Sequence, residues 1–126
     1  MRPGGIQAVD HVRREVPPNI DAQLRWFYVE VGGLEAVASE GEEEIRFRSA
    51  RLHLRLVKRE VPQIEPAGFP VVIAVDSLSD TADALREASW PCEKLTGTNW
   101  ADACLATNDP AGNRVSLRQE WPFGIL

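Results

Sequence analysis

Residues 5–59 and 69–122 repeat one order of elements, namely strand, helix, strand, strand, strand. A unit of that kind leaves an apolar sheet face that it cannot cover alone, so it must stack against its copy. The chain is therefore expected to be one domain, 1–126, in which module one (5–59) and module two (69–122) are joined by the polar, proline-punctuated connector 60–68. In module one, IQAVDHVRREV is rich in β-branched residues, and Pro17 and Pro18 stop it. Leu24, Phe27, Tyr28 and Val31 then follow the spacing of an amphipathic helix, with Asn19 placed to cap its start and Gly32 and Gly33 placed to end it in a left-handed turn. Strands are expected over 34–39, 43–49 and 51–59. In the last, Leu52, Leu54 and Leu56 share one face, and Arg51, His53, Arg55 and Val57 the other. In module two, Val71, Ile73 and Val75 alternate along a strand, and Leu78, Ala82, Leu85 and Ser89 mark one side of a helix with Ser77 or Ser79 as its cap. CEKLTG, WADACLATN and NRVSLRQ read as three further strands. The expected class is α+β, with two βαβββ modules forming curved mixed sheets around a cleft. Each helix should pack on the outer, apolar face of its sheet, which leaves function to the cleft.

The net charge of −5 argues against a nucleic-acid partner, since phosphate binding needs a clustered basic surface. Cys92 and Cys104 stand in no redox or zinc-site spacing and read as ordinary thiols. No apolar run approaches the roughly 18 residues needed to cross a bilayer, and no basic-then-apolar leader opens the sequence. The expectation is a cytoplasmic protein without a membrane partner.

Four pieces of the sequence carry a resemblance. They are VDHV (residues 9–12) on the first strand, LRWFYVEVGGL (24–34) as a helix ending in Gly-Gly-Leu, VIAVDS (72–77) entering the second helix, and DPAGNRVSL (109–117) before the last strand. Together they resemble the vicinal oxygen chelate superfamily, which includes glyoxalase I, extradiol dioxygenases, fosfomycin-resistance enzymes and bleomycin-resistance proteins. The turn-plus-strand motif is the most specific of the four. Its chemistry also has a purely structural reading: Pro110 fixes one backbone angle, Gly112 and Asn113 tolerate positive φ, and Asp109 can accept from the turn's own amides.

The resemblance implies a glyoxalase-like fold. It also implies metal ligands on strands of both modules in the metal-dependent members, where imidazole and carboxylate donors converge on a divalent ion. Carried over, the first-strand ligand falls on His11 and the fourth-strand ligand near His53 or Arg55. The fifth-strand ligand falls on Pro70 or Val71, and the eighth-strand ligand on Ser116. Proline, valine and guanidinium cannot coordinate, and a serine hydroxyl is a poor substitute for a carboxylate, so a divalent metal cofactor is disfavoured. Assembly as a homodimer is implied by the resemblance as well.

The candidate ligand-binding residues are His11, Arg13, His53, Arg55, Trp100 and Ser116. Imidazoles and guanidiniums around one cleft favour an anionic or carboxylate-bearing small molecule, whereas the net charge of −5 suits a cationic one, and Trp100 and Trp121 are placed to stack on a planar guest. The alternative for the same residues is a pair of hydrogen-bonded sheet histidines and a solvated arginine stripe. The acidic run EGEEE (40–44) reads as a solvated hairpin tip. Two functions follow: a small-molecule binding protein without the family's full metal site, or a metal-dependent lyase, isomerase or dioxygenase of the glyoxalase type using His11. A vestigial cleft is the third possibility.

Overall fold

The computed structural model describes residues 9–38, 41, 43–64, 69–96 and 103–120. Strand β1 (Asp10–Val16) is followed by α1 (Asp21–Arg25), which continues without a break as a wider π-helical segment over Trp26–Val31. Strands β2 (Glu35–Val37), β3 (Glu44–Arg48) and β4 (Leu52–Lys58) complete the first module. Then come β5 (Val71–Val75), α2 (Leu78–Glu87), β6 (Cys92–Leu95), β7 (Cys104–Asn108) and β8 (Arg114–Gln119). The two sheets have matching orders, β1-β4-β3-β2 and β5-β8-β7-β6. In each, the first strand lies parallel to the last, and the other pairings are antiparallel. The α+β architecture of two βαβββ modules is thus the one expected from the repeat.

Period-two alternation decides which face of each sheet is covered. Leu52, Leu54 and Leu56 on β4, Ile45 and Phe47 on β3, and Val71, Ile73 and Val75 on β5 are all buried. Together with Leu24, Phe27, Tyr28 and Leu85 from the helices they form one core shared by both modules. Burial of each such side chain is worth about 1.5–3 kcal/mol, which is why the alternation overrides local polarity in setting register. Trp26 and Trp90 meet edge to face at 5.4 Å where the helical layers of the two modules join, so both tryptophans are packing residues. The Trp90 indole N–H also donates to the carbonyl of Asn108 at 2.8 Å.

Three local expectations are corrected. Asn19 does not cap α1: its φ is +71°, a left-handed turn residue after two prolines, and the cap position is Ile20, which has no side-chain cap bond. Ser89 lies past the end of α2 with φ +54°, exposed in the closing turn, so it does not share the helix's packed side. Glu44 is no solvated hairpin tip, because it is the first residue of β3 and engages two arginines. Ser77, not Ser79, caps α2 by accepting from the Asp80 N–H at 3.1 Å. The glycine turn forms as expected at Gly33, with φ +73°.

The turn between β7 and β8 fastens the modules together. Asp109 is buried, and its carboxyl accepts from the Ala111 and Asn113 N–H groups at 2.9 Å, from the Asn113 amide at 3.3 Å and from the Tyr28 hydroxyl at 2.6 Å. The same Asn113 amide donates to the carbonyl of Glu15 at the end of β1. One turn of module two is thereby tied to both the helix and the first strand of module one. Burial first, and the Asp109 charge second, push the Tyr28 hydroxyl well above its ordinary pKa.

Candidate functional site

The face of the first sheet that turns away from the core carries the chemistry. Register sets its side chains in rows across the strands. His11 pairs with His53 and His53 with Arg48, which in turn faces Glu35. Two residues along, Arg13 pairs with Arg55 and Arg55 with Arg46. Two further on, Glu15 pairs with Val57 and Val57 with Glu44. Neighbouring strands lie about 4.8 Å apart, so each row brings its side chains within reach of one another. The result is a row of imidazoles, a row of guanidiniums and a row of carboxylates on one open surface.

A groove of about 600 Å³ lies over the first two rows, lined by His11, Arg13, Arg46, Arg48, His53 and Arg55 among others. The two imidazoles meet edge to face with ring centroids 4.9 Å apart. Carboxylates brace the arginines. Glu44 takes both Arg55, at 2.8 Å, and Arg46, while Glu15 lies 3.5 Å from Arg13 and Glu35 lies 3.0 Å from Arg48. The hydrogen bond from Arg55, then that from Arg46, holds the Glu44 carboxyl below the usual carboxylate range. The Glu15 carboxyl is also lowered, first by the backbone N–H of Gln63, which donates to it at 2.9 Å, and then by the charges of Arg13 and Arg59.

A depressed carboxylate stabilises the folded state above its ordinary value, and that contribution disappears as pH falls through the lower folded value. Stability contributed by Glu44 is therefore expected to be intact above about pH 4.5 and to fade below it. Melting temperatures measured from about pH 7 down to about pH 3 check this, because Glu44→Gln should flatten the acid limb of the profile. An unchanged acid limb in that variant would mean that Glu44 is not held by its arginines in solution.

The residues expected at the site divide. His11, Arg13, His53 and Arg55 come together in the groove. Ser116 lies in the second sheet, paired with Val72 and Ala106, where its hydroxyl is buried without a hydrogen-bond partner; it does not line the groove. Trp100 and Trp121 lie outside the described residues. Arg46, Arg48, Glu15 and Glu44 were not anticipated as site residues. The alternation Glu44, Ile45, Arg46, Phe47, Arg48 carried the signal, but only the neighbourhood of β3 and β4 puts those arginines beside His53.

Solved structures with this architecture span nearly the whole chain. A glyoxalase family protein from Bacillus anthracis superposes with a TM-score of 0.73 at 19% identity, covering 96% of this chain and 100% of the other. The fosfomycin resistance protein FosX from Listeria monocytogenes gives 0.70 at 12%, covering 94% and 97%. Lactoylglutathione lyase from Agrobacterium tumefaciens gives 0.65 at 16%, covering 98% and 100%. The chain has the glyoxalase fold. No family model and no curated protein sequence matches it.

A divalent ion needs several converging donors, and the described residues that line the groove supply two imidazoles and no carboxylate. Val71, at one implied ligand position, is fully buried against the core. His11 and His53 offer two imidazoles, but four guanidiniums share their groove and would oppose a cation. Among the described residues, no three His, Cys, Asp or Glu side chains gather as a metal site. Among them too, no helix is long and apolar enough to cross a membrane.

Proposed function

We propose that this chain binds a small molecule in the groove over the open face of its first sheet, and does so without a divalent metal. The observation that carries the reading is the pairing of His11 with His53 and of Arg13 with Arg55 in adjacent rows of a solvent-facing groove. Such a surface offers directed donors and a flat imidazole edge, which suit recognition more than electron-pair donation to an ion.

A second copy of the chain completes the cleft in this reading. Both sheets turn their apolar faces into one shared core, and the groove residues all come from the first sheet, so its outer side is left for another chain. Sedimentation should then report a particle of twice the 14.0 kDa chain mass. A strictly monomeric chain that still binds would remove the dimer and leave the binding reading intact.

A thermal-shift screen of small molecules tests the binding itself. A compound present at 100 times its dissociation constant adds about 2.7 kcal/mol of stability, enough to move the melting temperature by several degrees. Hits should lose their effect in Arg55→Gln and His53→Ala. Hits indifferent to both variants would place binding elsewhere and contradict the proposal.

A further inference from the structure

We infer that the groove is built for a small molecule carrying two carboxylates, seated between the arginine row and the imidazole row. This rests on the binding reading above and deepens it.

The arginines are braced in a way that leaves donors to spare. Arg13, Arg46, Arg48 and Arg55 each meet a carboxylate through a single nitrogen. A guanidinium has five N–H donors in a rigid fork. Their partners Glu15 and Glu44 stand one row away from the arginines, on the side opposite the histidines, so the ion pairs of Arg13, Arg46 and Arg55 reach away from the imidazole row. Anchoring matters energetically, because a side chain already held loses less conformational freedom when a ligand arrives. Among the described residues, four arginines meet three carboxylates, Glu15, Glu35 and Glu44, so these ion pairs keep one positive charge in excess on a chain whose net charge is −5.

The spread of the donors selects the class of anion. Arg13, Arg55 and Arg46 occupy three successive strands, so their backbone positions span about 10 Å across the sheet. Two carboxylates held apart on one skeleton can each take a guanidinium fork, whereas a single compact anion would engage one end of the row. The rigid floor of the groove includes Phe47, whose ring stacks on Tyr28 at 5.3 Å, so the backbone beneath the row is fixed by the core. The imidazole edges of His11 and His53 then border the ligand's body.

The chain contains two histidines and both line the groove, so their ring signals in a proton–carbon NMR spectrum report on it directly. Terephthalate, benzoate and benzamide, which carry two opposed, one and no carboxylates on the same ring, are titrated in turn, with inorganic phosphate as a fourth probe. Terephthalate should move both histidine signals saturably, benzoate should bind about tenfold more weakly, as expected for one lost charged hydrogen-bond pair, and benzamide should not move them. The double variant Arg13→Gln with Arg55→Gln should weaken terephthalate at least as much as removing one carboxylate does, and Arg55→Lys should fall between it and the native chain. Benzamide binding as well as terephthalate would overturn the inference while sparing the small-molecule reading. Phosphate displacing terephthalate at equal concentration would overturn the choice of two separated carboxylates. Histidine signals that stay still with every probe would overturn the inference, and the thermal-shift screen would then decide the small-molecule reading by itself.

Discussion

Asp109→Ala should cost about 4 kcal/mol of folding stability, because four hydrogen-bond donors lose their acceptor in one substitution. Each buried donor left unpaired costs about 1–3 kcal/mol, and the Tyr28 hydroxyl has no water to turn to, since Tyr28 is fully buried. Tyr28→Phe isolates one of the four bonds and should cost about 2 kcal/mol, the range for a hydrogen bond to a charged group. The two effects should not add in the double variant, because they share that bond. Urea denaturation of the three variants measures this. An Asp109→Ala chain within about 1 kcal/mol of the native one would show that the turn between β7 and β8 does not fasten the modules. The same contact has an alkaline signature. A tyrosine whose folded pKa is raised contributes stability that is intact below the unfolded value of 10.0 and declines as pH rises above it, so Tyr28→Phe should remove that decline.

The second large effect falls on Phe47, which is 1% exposed and stacks on Tyr28. Phe47→Ala should cost about 4 kcal/mol through lost burial and the cavity left behind, whereas Phe47→Leu, closer in volume, should cost less than about 1.5 kcal/mol. Thermal and urea unfolding give the values. A mild Phe47→Ala would contradict a single well-packed core, since that side chain joins β3 to the π-helical segment on which the first module closes.

Much of this was legible before any coordinates. Leu52, Leu54 and Leu56 alternate too cleanly to be read another way, and their burial fixes which side of β4 presents His53 and Arg55. The repeated element order gave the class, because a module with one uncovered apolar face permits few partners. Boundaries were less legible. Asn19 has a capping side chain, yet it takes the left-handed conformation that asparagine tolerates in the turn after Pro18, and no local pattern distinguishes those roles. Long-range register was not legible at all. The bond from Tyr28 to Asp109 spans 81 positions, and nothing near either residue announces it. The bracing of Arg55 and Arg46 by Glu44 was hidden in the same way, since the acidic run around Glu44 looks like solvated surface until β3 is laid beside β4. Ser116 shows the converse. Its place in β8 was foreseeable from alternation, but only the sheet pairing shows that it sits with Val72 and Ala106, away from the histidines.

The paired histidines of the groove are proposed to bind without holding an ion. Metal analysis of the purified chain after incubation with manganese, nickel, zinc or iron salts and removal of excess tests this directly, with His11→Ala carried alongside. Substoichiometric metal, equal in both proteins, together with an unchanged melting temperature, is the predicted result. One ion per chain, lost in His11→Ala, would contradict it.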